Sequence, residues 1–400
     1  GRGCFGLSNC KVVGGYDFVN DDNDPMDDYG HGTHCAAIAA GNGSITDISG
    51  NSILIKGVAP EAKIYAYKVL ARDGFGNSNI LLQALERSID PNNDNDISDR
   101  VDIVSMSLGF DCYSYYNSYN DACGPNDFIS RKVDELVNNY NVVVVVSAGN
   151  SGPASSTIVS PATARKAITV GANYWFFGWY VASFSSRGPV YYNDPNDPTT
   201  LVFIQKPDLV APGVIICSAK SSGIPSSSQT FPCVYPPFST ETISMSGTSM
   251  AAPHVAGAAA LLKQKNPHWT PEQIKSYFKY NALPLNSQFT LLDRGQGRLY
   301  LNNSPAALSQ NYPYLEVYYK KESNFFRIFG TLKNYGNSVR SVKLYLNNNY
   351  LNRTTMTSFE DRLLHSISRS SLRSGRNYIV KMEVDLTDGR KFSEFISLIN

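Results

Sequence analysis

The sequence predicts an α/β fold, a parallel sheet flanked by helices, followed by a small all-β domain resembling a sandwich. Three observations carry this. Runs of β-branched residues alternate with helical stretches, which is the pattern of strand–helix–strand units. One of those runs holds five consecutive valines, Val142 to Val146, which suits a strand buried on both faces. Beyond about residue 310 the composition turns to Tyr, Asn and short alternating stretches with turn residues between them, the pattern of antiparallel strands.

Taken in order, KIYAYKVL (63–70), VDIVSMSL (101–108) and NVVVVVSA (141–148) read as parallel strands. Helical stretches near 79–90 and 127–139 separate them. Each strand runs into a Gly- or Ser-rich turn, and ligands collect at such strand ends. SMAAPHVAGAAALLKQ (249–264) is apolar or small on every side and so reads as a central buried helix. Pro253 falls near its first turn, where a missing N–H costs little. In the last part, FFRIFGTLKN and NYIVKMEVDL alternate, with turns at NYGN and TDGR. The expected division is residues 1–308 for the α/β domain and 309–400 for the all-β domain.

The chain has 400 residues, 42% of them hydrophobic, enough for one large core and a smaller one. A net charge of +1 argues against binding nucleic acid or a membrane surface. No run approaches the roughly 18 to 20 apolar residues of a membrane span. Charge is divided unevenly: residues 311–400 carry 14 basic and 8 acidic side chains, a net of +6, and the first 310 carry a net of −5. The two domains are therefore expected to attract each other.

Seven cysteines include three pairs close in sequence: Cys4 with Cys10, Cys112 with Cys123, and Cys217 with Cys233. Local disulfides and an oxidising compartment are the expectation, with Cys35 left as the odd thiol. Sequons at Asn42, Asn302 and Asn352 agree with a secreted, extracellular protein.

Chemistry enters with DYGHGTHCAAIAAG (28–41), which sets His31 and His34 three apart. No third His or Cys has metal-ligand spacing nearby, so a reaction is the better reading than a metal. SAGNSGP (147–153) and GTSMAAPHVAG (247–257) each stand where a strand or loop meets a helix. Together with GHGTH (30–34) they resemble the subtilisin-like serine proteases, the subtilases of peptidase family S8. The resemblance covers roughly residues 11–305 and extends through GVAPEAKIYAYKVL, VSMSLG, SFSSRGP, KPDLVAPG, TPEQIKSYF and GQGRLYLN. Cys35, directly after GHGTH, is similar to the thiol-containing branch that includes proteinase K. It is expected as a free, buried thiol beneath His31.

The resemblance implies a subtilisin-like sheet and a serine endopeptidase acting on extended polypeptides. Ser249 matches the nucleophile, His31 the general base, and Asn150 the side-chain donor to the oxyanion beside the Ser249 N–H. Ser107, Leu108 and Gly109 match the edge strand that pairs with substrate. Ser147, Ala148 and Gly149 match a wall of the pocket for the residue before the cleaved bond. Val159 aligns with the base of that pocket, where many members have glycine, and is expected to shorten it. His34 reads as a hydrogen-bonded structural residue, His254 as a core residue and Asp102 as a structural carboxylate.

The family order is Asp, His, Ser, with the aspartate on an early strand in a D-[ST]-G context, and no such tripeptide precedes His31. KVVGGYDFV resembles what lies just downstream of that strand. The chain is thus expected to be N-terminally incomplete, to lack the triad aspartate, and to be inactive as given. Asp27 and Asp28 are expected on the loop entering the His31 helix, not behind its ring. The alternative is a catalytically dead relative that keeps the cleft as a peptide-binding module. Polypeptide substrates are the expected partners, with no nucleic acid, no membrane span and a monomeric state. No cofactor or catalytic metal is expected. Structural calcium is compatible with the family, but DFVNDDNDPMDD (17–28) lacks the spacing of an EF-hand loop.

Overall fold

A computed structural model describes residues 7, 10–47, 49–112, 120, 123–222, 233 and 241–400. Strand β1 (Val12–Asp17) leads through an acidic loop to helix α1 (His31–Ala40) and a hairpin of β2 (Asn42–Thr46) and β3 (Ser52–Lys56). Strand β4 (Ile64–Lys68) then pairs with β1 in parallel, Tyr16 opposite Tyr67. Helix α2 (Ser78–Arg87) starts at Asn77, whose side chain accepts from the Ile80 N–H. It precedes β5 (Ile103–Met106), helix α3 (Phe128–Tyr140), β6 (Val143–Ser147) and β7 (Ile168–Trp175). β7 folds back on itself as β8 (Trp179–Val181). A hairpin of β9 (Val190–Asp194) and β10 (Asp197–Ile204) precedes β11 (Leu209–Pro212). The pair β12 (Ile216–Ala219) and β13 (Thr242–Met245) delivers the chain to helix α4 (Thr248–Lys265), and α5 (Pro271–Asn281) follows.

The central sheet has the order β11-β7-β6-β5, all parallel, with β8 antiparallel on β7. β6 is buried at every residue, as the valine run requires. Helix α4 is buried along most of its length, including Met250, Ala252, Val255 and Ala258. Its Gly257 lets α1 approach: a Cβ there would lie 2.7 Å from the Ala39 carbonyl oxygen. Small residues on α4 therefore set the distance between the helix that carries Ser249 and the helix that carries His31.

The sheet is not continuous. β1-β4 forms a separate parallel pair, and among the described residues no strand joins β4 to β5. Their residues show it. Tyr65 of β4 and Ser105 of β5 are exposed, whereas the neighbouring β6 is covered throughout. Two parallel edges thus present unpaired backbone groups, a template for a further strand.

The C-terminal part is all antiparallel: β14 (Tyr314–Lys321), β15 (Phe325–Lys333), β16 (Val339–Leu346), β17 (Asn349–Thr354), β18 (Phe359–Ser368), β19 (Asn377–Leu386) and β20 (Lys391–Ile399). They form two sheets, β18-β15-β14-β10-β9 and β17-β16-β19-β20. The first sheet takes in the β9–β10 hairpin, which the chain lays down more than a hundred residues earlier. NYGN is the link that passes from one sheet to the other, and TDGR closes the β19–β20 hairpin with Gly389 at φ 90°. Ion pairs tie this part to the first: Arg165 to Glu316 at 3.0 Å and to Asp361 at 2.9 Å, and Lys279 of α5 to Glu394 at 2.6 Å.

Cys112–Cys123 and Cys217–Cys233 are disulfides, and Cys35 is a free thiol, half-buried rather than fully buried as expected. The expected Cys4–Cys10 pair lies outside the described residues, because Cys4 does. Among the described residues no helix is long and apolar enough to cross a membrane.

Candidate active site

The parallel strands end along one edge of the sheet, and the residues singled out in the sequence gather there. Ser249 is the second residue of α4, half-buried, where unpaired N–H groups and the helix dipole favour negative charge. Its backbone carbonyl is held from two sides: Ser107 Oγ donates to it at 2.7 Å and Cys35 Sγ at 3.3 Å. Ser249 Oγ in turn donates to the Ser107 carbonyl at 3.3 Å. The turn after β5 and helix α1 thus both fix the position of Ser249.

Asn150 is exposed at the end of the turn after β6. Its Oδ1 accepts from the Thr248 N–H at 2.9 Å and the Thr248 hydroxyl at 3.0 Å, and Thr248 Oγ1 accepts from the Gly149 N–H at 3.2 Å. With the carbonyl end of the amide occupied, Nδ2 faces the other way. A Cβ built on Gly247 would lie 3.6 Å from both Asn150 Nδ2 and the Ser249 N. Both nitrogens therefore lie near Gly247, beside the start of α4.

His31 opens α1. Asp27 builds that helix end: its Oδ1 accepts from Tyr29 N (3.0 Å) and Gly30 N (2.7 Å), and its Oδ2 from Thr33 N (2.7 Å) and Thr33 Oγ1 (2.6 Å). Burial alone would raise the Asp27 pKa, but these bonds hold it below the usual carboxylate value. Asp27 thus lies on the loop entering α1, as expected, with both oxygens engaged by that loop and the first turn of the helix. Asp28 pairs with Lys68 at 3.0 Å. Among the described residues no carboxylate accepts from the His31 ring, and His31 and Ser249 are not hydrogen-bonded to each other. Burial pushes the His31 pKa down, and the charge of Asp27 partly opposes it. Cys35, one turn further along α1, touches the Ser249 carbonyl, so His31 stands on the helix face turned toward α4. His34 is fully buried, with Nε2 shared between the Ile216 carbonyl at 3.0 Å and the Ile243 carbonyl at 3.1 Å. It anchors α1 to β12 and β13 and does not face the same space as His31.

Ser107, Leu108 and Gly109 continue past the end of β5, and no strand pairs with them among the described residues. Pairing resumes only at Phe110, which exchanges backbone bonds with Ser160 at 2.7 and 3.0 Å. Ser147, Ala148 and Gly149 lie opposite, Gly149 at φ 105°. Val159 sits between these two stretches. A Cβ on Gly109 would come within 2.5 Å of Val159 Cγ2, and one on Gly149 within 2.5 Å of Val159 Cγ1. The isopropyl group spans the space between the walls, and glycine in each wall makes room for it.

Residues 6–310 match the subtilase family model of peptidase S8. The chain belongs to the subtilase family. Among its relatives are serine protease AprX of Bacillus subtilis (strain 168), 39% identical over 279 residues, and subtilisin BL of Lederbergia lenta, 35% identical over 277 residues. The first alignment covers 67% of this subtilase and 56% of AprX, the second 69% and 79%. The chain thus spans little more than half the length of AprX. The solved structure of sphericase superposes with a TM-score of 0.52 at 27% identity, covering 72% of this chain and 83% of that one.

Two contributors to this subtilase's site escaped the sequence reading. Thr248 orients Asn150, and the Ser107 hydroxyl holds the Ser249 backbone. The first lay in plain view inside GTSM. The second had no local signal, because Ser107 and Ser249 are far apart in the chain.

Proposed function

We propose that this subtilase is a secreted serine endopeptidase that cleaves extended polypeptides once a carboxylate is seated behind His31. The carboxylate arrives on a parallel strand filling the slot between β4 and β5, which would join the two sheet pieces as β1-β4-strand-β5-β6-β7-β11. Substrate backbone pairs with Ser107–Gly109, and the side chain before the cleaved bond enters between that stretch and Ser147–Gly149. Ser249 Oγ leaves the Ser107 carbonyl and gives its proton to neutral His31 as it attacks. The carbonyl oxygen becomes an oxyanion received by Asn150 Nδ2 and the Ser249 N–H. His31 returns the proton to the leaving amine, and water repeats the cycle on the acyl-enzyme.

The observation that carries this reading is the Thr248–Asn150 lock, which holds Asn150 by its Oδ1 at the start of the helix bearing Ser249 and so leaves its amide nitrogen as the end that can turn to a substrate. A peptide-binding module has no use for such a donor. The two disulfides support an extracellular setting.

In this reading residues 1–400 alone hydrolyse peptides at a negligible rate and label weakly with a fluorophosphonate. The same chain given a strand with a D-[ST]-G aspartate should regain both activities, and Ser249→Ala should remove them. A strand-completed protein that folds, binds peptide and stays unlabelled would replace the protease reading with the binding-module one. The donation of Ser249 Oγ to Ser107 rather than to His31 is the observation on that second side.

A further inference from the structure

The edge of the sheet that holds the site also carries an apolar feature for which the reaction has no use. β7 runs on past Asn173, its last residue opposite β11, and turns through Trp175, Phe176, Phe177 and Gly178 before returning as β8. The three aromatic residues are 61%, 64% and 86% exposed. Phe177 takes a left-handed φ of 48° and Gly178 a φ of 154°, so the tip holds a bulky residue in a conformation it disfavours. Isolated exposed apolar residues are ordinary, but three in a row on a protruding turn mark an interaction surface.

At the tip the rings pack on one another, Trp175 to Phe177 at 6.1 Å and Phe176 to Phe177 at 5.1 Å between centroids. The base of the hairpin is braced by Tyr174 stacked on Tyr180 at 5.7 Å and by the Arg298 guanidinium 4.4 Å over Trp179. A braced hairpin loses little freedom on binding.

Its position relates it to the cleft. Gly213 N donates to the Asn173 carbonyl at 3.0 Å, and Gly247 N donates to the Gly213 carbonyl at 2.8 Å. Gly247 is two residues before Ser249, so two backbone bonds connect the tip's strand to the nucleophile. Ile215, 66% exposed, stands in the same corner with its N–H on Ser246 Oγ at 2.8 Å. The stretch Ser107–Gly109 follows β5, which lies two strands from β7 in the order β5-β6-β7-β11, about 10 Å away at ordinary strand spacing. A chain laid from Ser107–Gly109 across Ser249 reaches the β7 flank with the residues that follow the cleaved bond.

We infer that Trp175, Phe176 and Phe177, with Ile215, form an exosite for an apolar or aromatic segment of the polypeptide substrate downstream of the cleaved bond; this rests on the protease reading above. Residues 173–180 contain no Lys or Arg. Arg298 at its base is engaged over Trp179, so the tip itself brings no Lys or Arg to an anionic bilayer, and it continues the edge on which polypeptide is held.

The test uses the strand-completed protein and the variant W175S/F176S/F177S, which leaves every catalytic group in place. Two fluorescent peptides share one sequence up to the cleaved bond and carry either Leu and Phe or Ser and Gln at the third to sixth positions after it. In the Ser249→Ala background the Leu/Phe peptide should bind roughly tenfold tighter than the Ser/Gln peptide, and the triple variant should erase that ratio. In the active background kcat/KM should follow the same ratio, while a p-nitroanilide that ends at the cleaved bond is hydrolysed equally by both proteins. Equal binding of the two peptides to the unsubstituted protein overturns the exosite. So does an equal loss on the anilide, or co-sedimentation with phosphatidylcholine vesicles that the triple variant abolishes while peptide binding is unchanged. A binding ratio that holds in a protein without hydrolysis keeps the exosite and removes the protease reading.

Discussion

The two halves of the site differ in how they are held. On the oxyanion side, Thr248, Asn150, Gly149, Ser107 and Cys35 close a hydrogen-bonded corner around the start of α4. On the base side, His31 opens helix α1, yet its ring has no hydrogen-bond partner among the described residues, and the sheet beside it is split between β4 and β5. The corner is built from contacts within neighbouring turns and helix starts, which this chain supplies. In the proposed reading the orientation of the imidazole depends on one carboxylate brought by a strand between β4 and β5, where the described residues supply no strand. Binding an oxyanion and activating a nucleophile are thus separable parts of this fold, and experiments can address them one at a time.

The largest effect should come from the base side. With a strand bearing D-[ST]-G supplied, changing its Asp to Asn should lower turnover by about 10⁴, the scale reported by aspartate removal in subtilisin itself. An Asn strand also closes the sheet, so any gain it brings over residues 1–400 measures the strand without the charge. Single-turnover acylation at fixed pH is the measurement, and equal rates for Asp and Asn strands would deny His31 its need for a carboxylate. The carboxylate should also raise the His31 pKa, which burial now depresses. Since the base must be neutral, the acidic limb of the rate profile should shift to higher pH with the Asp strand and not with Asn.

The oxyanion corner comes next. Asn150→Ala should reduce kcat by roughly 10² to 10³ with KM little changed, a range that also derives from subtilisin. Thr248→Val removes the hydroxyl that steadies Asn150 Oδ1 but keeps the Thr248 N–H bond, so its loss should be smaller, about tenfold. A Thr248→Val enzyme as crippled as Asn150→Ala would mean that the hydroxyl does more than orient.

Specificity tests the space between the walls. Val159→Gly should deepen the pocket and raise kcat/KM for Phe or Tyr before the cleaved bond relative to Ala, by about tenfold to a hundredfold. An unchanged ratio in a library profile would remove Val159 from the pocket floor.

The strands β5 and β6, the buried helix expected at 249–264 and both described disulfides were legible in the sequence. Each rests on local pattern or on residues that act through short turns. Two features were not legible, and for the same reason. The β9–β10 hairpin joins β14 across a long chain separation, and nothing in its own sequence names that partner. The domain contact follows individual side chains and not net charge. The basic C-terminal part contributes Glu316, Asp361 and Glu394 to cations of the acidic part, alongside Lys333 with Glu272 and Lys320 with Asp194 in the sense net charge predicts. Net charge describes a field at a distance, whereas ion pairs at contact depend on which side chains face each other.

His34 distinguishes anchoring from catalysis. Burial lowers its pKa from 6.5 to about 4, opposed by the carbonyls of Ile243 and Ile216. Between those values the unfolded chain binds a proton that the folded one refuses, so stability falls as pH drops from about 6.5 toward 4, by on the order of 3 kcal/mol. Urea midpoints at pH 7 and pH 4.5 should differ less in His34→Gln than in the unsubstituted protein. Part of the activity of the strand-completed enzyme should survive that substitution, whereas His31→Ala should abolish it.

The smallest effect is expected at Cys35, which joins the two halves. Its thiol lies one turn after His31 and donates to the Ser249 carbonyl, so its position in sequence suggests a sensitive place. Burial, however, pushes its pKa up to about 12, and thiol chemistry runs through the thiolate. Little thiolate is therefore expected at pH 8, and iodoacetamide should alkylate it more slowly than a free cysteine. The bond it makes is also duplicated, because Ser107 Oγ reaches the same carbonyl at 2.7 Å. Cys35→Ser keeps a donor there and should change kcat by about twofold or less. Cys35→Val removes the donor and should cost about 0.5 to 1.5 kcal/mol of stability, the net worth of one hydrogen bond, with the Asn150 effect unaltered. Rapid inactivation by iodoacetamide at pH 7 that Cys35→Ser prevents would show an ionised thiol and make Cys35 part of the base side after all.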